Sequence, residues 1–162
     1  MLKLIDLKLA FLPISPLFTT TTISAMNTLP GIVSIKYTSC QNLQPHVMAQ
    51  SISGAVIDIN APLTDIPFIN IPECKWSGNL EQGARVEEST LEFTTTHHLP
   101  EGRRLAFIIT VASGKQYLIG SREPKYPRIT YSDTSGSPSG DAAVRSYKIS
   151  HTALKSVLPC IL

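Results

Sequence analysis

A chain of 162 residues is long enough for one domain with a real core and too short for two comfortable ones. Hydrophobic residues make up 43% and charged residues 16%, which excludes a disordered charged chain and leaves solubility to Ser, Thr and Asn. The net charge is +2, and Lys and Arg are scattered, with Arg103-Arg104 the one adjacent pair; this is too mild to argue for a nucleic-acid or anionic-membrane partner.

The first 25 residues carry Lys3 and Lys8, an apolar run from Leu9 to Phe18 and a Thr-rich stretch ending at Ala25. That is the outline of a signal peptide, but Asp6 sits in its basic part, Pro13 and Pro16 interrupt the apolar part, and Ile23 is a poor residue ahead of a cut after Ala25. The apolar run is about half the length of a membrane span, so none is expected. Three readings of 1–25 stay open: a cleaved signal, a leader ahead of a start at Met26, and an extended arm that lies on a neighbouring subunit. Residues 26–162 are expected to form a single domain.

After Pro30-Gly31, Ile32 to Thr38 alternates with the period of a strand. Cys40 to Gln50 is a polar connection with one short helical turn around Val47-Met48-Ala49. Gly54 to Ile59 alternates again, with Ala55, Ile57 and Ile59 on one face. Pro62, Pro67 and Pro72 each remove a backbone donor, so 61–75 is an edge strand or an extended packed loop. Ser77-Gly78-Asn79 and Gln82-Gly83 read as turns around the sole tryptophan region. Val86 to Thr96 is an amphipathic strand with Leu91, Phe93 and Thr95 on one face.

The element around which the rest is organised is Leu105 to Gly120. Leu105 to Val111 is apolar at nearly every position, which suits a strand buried on both faces, and Ser113-Gly114 supplies a tight turn into Gln116 to Gly120. Pro124 and Pro127 turn the chain, Arg128 to Tyr131 is one more short strand, and 132–141 is a flexible loop by composition. Residues 143–149 alternate as a last clear strand, and His151 to Val157 reads as a short helix before the apolar end. Seven or eight short strands with Gly, Pro and Ser between them predict an all-β fold: a single-domain antiparallel β-sandwich or partly open barrel with little helix.

No catalytic or ligand-binding constellation emerges. His97 and His98 are adjacent, so in extended backbone they point to opposite faces and do not chelate one ion. A nucleophile-elbow frame starting at Gly136 puts Pro138 where the serine belongs. Gly114-Lys115 lacks both the glycine spacing and the following Ser or Thr of a phosphate loop. Glu87 and Glu88 face apart, while Asp58 and Asp65 have no partner in the sequence that would hold a proton between them. Cys40, Cys74 and Cys160 are too far apart for a zinc knuckle, and their odd number argues against a complete disulfide framework, so buried thiols are expected, with one disulfide and a spare thiol as the alternative for an exported chain. The reading is therefore of no enzyme, no cofactor, no metal and no small-molecule substrate.

What remains is aromatic and Arg enrichment that either marks a protein interface or is ordinary strand composition with Arg on the wet face: Tyr117, Tyr126, Tyr131 and Tyr147 lie close in sequence to Arg122, Lys125, Arg128 and Arg145. The interface residues proposed are Trp76, Tyr117, Tyr126, Arg128 and Tyr131, although for Trp76 the core-anchor role is the favoured one. From Phe93 to Ile149 the chain has a Thr-rich strand, a long apolar strand, the turn SGK, the return YLIG, the segment EPKYP and a Ser/Gly loop before a closing strand. In order and texture this resembles small β-rich virion structural proteins of tailed phages and prophages. The resemblance covers about a third of the chain and implies a non-enzymatic subunit of a tail, neck or connector that binds copies of itself and other virion proteins. The alternative is an exported β-sandwich that binds a glycan or protein at a cell surface, for which residues 1–25 would be a cleaved signal.

Overall fold

A computed structural model describes residues 31–81, 84–136 and 143–162. The readings of 1–25, of the Gln82-Gly83 turn and of most of the Ser/Gly loop lie outside the described residues. The expected sandwich is what the chain forms: a six-stranded sheet packed on a four-stranded one, with neither closed into a barrel.

In chain order the strands are β1 (Ile32–Ser39), β2 (Ile57–Asp58), β3 (Thr64–Asp65), β4 (Glu73–Glu81), β5 (Ala84–Thr95), β6 (Leu105–Val111), β7 (Gln116–Ile119), β8 (Arg128–Thr134), β9 (Val144–Ala153) and β10 (Leu158–Ile161). A short helix, α1 (Val47–Ile52), follows a single 3-10 turn at Cys40–Asn42. The large sheet runs β2-β10-β7-β6-β1-β3 and the small one β4-β5-β9-β8. All pairings are antiparallel except β10 with β2.

The apolar run of β6 has a direct physical reason. Leu105, Phe107, Ile109 and Val111 face the space between the sheets, where they meet Ile32 and Ile35 of β1 and Leu91, Phe93 and Ile149 of the small sheet. Ala106 and Ile108 face the other way, into a second core with Leu118, Leu158, Val47 and Leu43. The middle of the large sheet is thus covered on both faces, and the second cover is α1 with its flanking loops. The turn at Ser113-Gly114 closes as predicted: Gly114 adopts φ +79°, and its N–H donates to the Val111 carbonyl at 2.8 Å.

The small sheet is built differently. Its inner residues, Cys74, Leu91, Phe93, Tyr147 and Ile149, are buried, while Lys75, Glu92, Ser146, Lys148 and Thr130 on the outer face are exposed. That is the pattern of an antiparallel sheet with one wet side.

Several expectations are corrected. Ser77-Gly78-Asn79 is not a turn but lies within β4, in register with Glu88, Glu87 and Val86, because nine ladder pairs with β5 outweigh the local turn preference. His151 to Val157 is not a helix: His151–Ala153 completes β9 opposite Ser89, Glu88 and Glu87, and bends follow. The alternating stretch at 54–59 contributes only Ile57–Asp58 as strand, beside β10. The strand predicted at Arg128 to Tyr131 runs on to Thr134, paired with β9 throughout. The described residues hold ten strands rather than seven or eight, the additional ones being the two-residue edge β3, the nine-residue β4 and the apolar end β10.

Candidate interaction surface

A polar cluster lies where β8 and β9 meet the 97–103 connection. Register places Arg145 of β9 opposite Asp133 of β8, and Tyr147 opposite Tyr131. The Arg145 guanidinium donates from Nε to Asp133 Oδ1 and from Nη2 to Asp133 Oδ2, the latter at 2.7 Å. Its carbon lies 4.0 Å from the centre of the Tyr131 ring and 5.9 Å from that of Tyr147, and Nη1 is 3.8 Å from Glu101 Oε1. Tyr147 is buried, and its hydroxyl accepts the Leu99 N–H at 2.9 Å, which ties the connection to the sheet.

The electrostatics are self-contained. The hydrogen bond from Arg145 holds the Asp133 carboxyl below the ordinary carboxylate range, and Asp133 in turn raises the Arg145 pKa further. The fork is therefore occupied internally, and what it presents outward is the half-exposed Tyr131 ring. Between that ring and the connection is a cleft of about 360 Å³, floored by Ile129, Tyr131 and Tyr147 and rimmed by Pro100 and Arg103. The arrangement is a fixed aromatic platform, with a mixed apolar and charged rim suited to gripping another chain.

The edges of the two sheets are unequal. The large sheet ends in β2 and β3, each two residues long, whereas the small sheet ends in β4 with nine residues and β8 with seven. Among the described residues β8 pairs only with β9, and β4 only with β5. An edge strand aims alternate N–H and C=O groups away from its sheet, so both strands offer a template for a further strand. Every residue of β8 except Ile129 is exposed. Near the β4 edge, Ile69, Ile71 and Leu80 are exposed apolar residues, Ile71 at 87% and Leu80 at 81%.

The five residues expected at an interface do not form one surface. Tyr131 and Arg128 share β8, with Tyr131 on the inner face beside Arg145 and Arg128 exposed at the strand's start. Trp76 sits on β4, the opposite edge of the same sheet, half-buried against the core between the sheets. Tyr117 packs on that core from β7 in the large sheet, and Tyr126 packs on the second core with the Arg104 guanidinium 4.2 Å over its ring. The small sheet therefore brings three of the five to its two edges and leaves the other two elsewhere. Sequence reasoning noted Arg145 and Tyr147 as enriched neighbours but missed Asp133 as their clamp, because the two-strand register that joins them spans a Ser/Gly stretch that reads as a loop. It also missed β4 at Gly78, which reads as part of a turn, and at Leu80, which lies between the two turns read there.

The remaining candidates stand apart. His97 and His98 are exposed, and among the described residues no group of three His, Cys, Asp or Glu converges. Cys40 and Cys160 are buried in the second core and Cys74 between the sheets, all as free thiols. No helix of the described residues is long and apolar enough to cross a membrane. Comparison of the chain with protein-family models, with curated proteins and with solved structures returns no match.

Proposed function

We propose that the protein is a non-enzymatic assembly subunit that acts through protein–protein contacts with copies of itself and with other structural proteins, in a phage tail, neck or connector. The observation that carries the assembly reading is the pair of long, one-sided edges on the small sheet, which isolated β-sandwiches usually blunt or cover. The tied aromatic platform at Tyr131 and the exposed Ile71 and Leu80 add contact chemistry at those edges. The virion setting is supported by the order and texture of Phe93 to Ile149 alone.

The test is light scattering and electron microscopy of the purified full chain over a wide concentration range, followed by mixing with the structural proteins encoded beside it. Concentration-dependent rings, tubes or discrete oligomers, or co-assembly with one of those proteins, are expected. A monomer at every concentration that joins none of them overturns the reading.

A further inference from the structure

The geometry points to the occupant of these edges: β8 of one copy pairs antiparallel with β4 of the next, so that the small sheet continues from subunit to subunit. This rests on the assembly reading and specifies its contact. Three antiparallel steps separate β4 from β8 within the sheet, so the two edges run in opposite directions. A copy placed beside its neighbour in the same orientation therefore meets it as an antiparallel pair, with inner faces kept together. Such a contact uses two different surfaces, so it is head-to-tail and propagates into a ring or an open array rather than closing as a dimer.

One register satisfies both edges. The even residues of β8 and the odd residues of β4 lie on the outer face. Setting Leu80 opposite Ile129 keeps faces matched and pairs an 81% exposed leucine with the apolar residue of the β8 edge. Gly78 then falls opposite Tyr131, where the absence of a side chain leaves room for the ring and where the neighbouring Arg85 guanidinium is at hand. On the outer face, Asn79 meets Thr130 and Ser77 meets Ser132, pairs that hydrogen-bond across strands. The half of β4 used lies beyond the 66–72 crossover, whose Ile69 N–H is taken by the Thr94 carbonyl at the other end of the ladder.

A charge-swap experiment tests this on the full chain. The outer-face variant T130K/S132K combined with S77K/N79K puts like charges on both edges, and it should remain monomeric by light scattering where the wild type assembles. Replacing the second pair by S77E/N79E in the same T130K/S132K chain should restore assembly. Unchanged urea midpoints would show that the variants fold, since all four positions are exposed. Assembly by the all-Lys chain, or no rescue by the Glu pair, overturns the β8–β4 contact while leaving the subunit reading intact. A wild type that never assembles overturns both.

Discussion

Gly120 is pressed against Ala106: a Cβ on Gly120 would stand 3.0 Å from the Ala106 Cβ and 3.0 Å from Pro127 Cγ, and Gly120 holds φ +124°. Gly120→Ala should therefore destabilise the fold by about 1–3 kcal/mol, from a backbone conformation L-residues avoid plus overpacking. Equilibrium urea unfolding measures it. Adding Ala106→Gly should recover only the contact share of the loss, because the backbone strain at position 120 persists.

Phe107 is wholly buried at the centre of the core between the sheets. Phe107→Ala is expected to cost about 3–5 kcal/mol, through lost transfer energy and an unfilled cavity. The measurement is again the unfolding free energy, and a cost below about 1 kcal/mol would mean that the sheets close over the gap.

His151 is 1% exposed, with Nδ1 3.3 Å from the Ser156 carbonyl and Nε2 3.1 Å from the Lys125 carbonyl. Burial outweighs the two carbonyls and lowers its pKa in the folded state. The unfolded chain therefore binds a proton that the native chain resists, so stability is full above the unfolded value near 6.5 and falls as pH drops below it. Unfolding free energies at a series of pH values should show that decline, and His151→Gln should flatten it.

Asp133 is shifted the same way for another reason, the hydrogen bond from Arg145. Its contribution is present above the ordinary carboxylate pKa and is lost as pH falls through the lower folded value. Carboxyl-detected NMR should find Asp133 titrating below free aspartate, and Arg145→Lys, which loses the planar fork, should move it back up.

Burial pushes the Cys40 thiol up to about 11 and the Cys74 and Cys160 thiols up to about 12. All three should be protonated and inert to a thiol reagent in the native protein near neutral pH, and all three should react in denaturant. A thiol that reacts rapidly without denaturant would contradict the packing of its core.

What was legible in the sequence is the part fixed by periodicity. The run Leu105 to Val111 announces a strand covered on two faces because only Thr110 offers a polar residue to water, and Leu91, Phe93 and Thr95 announce the inner face of β5. The misreadings share one cause. At Ser77-Gly78-Asn79 and at Ser132 to Thr134, turn-forming residues sit in strands held by a partner distant in sequence, and local propensity carries no information about that partner. The clamp of Asp133 on Arg145 was invisible for the same reason: it exists only once β8 and β9 are in register.

β10 lies between β7 and β2, and its register joins Cys160 to both Gln116 and Ile57. As the chain emerges from the ribosome, Ile57 must therefore wait for about a hundred further residues before its strand has a neighbour. Until then β7 keeps an open side, and the Ile57 and Leu118 side of the second core lacks Leu158. A nascent chain stalled before Leu158 would be the species most exposed to mispairing, and the one most in need of a chaperone.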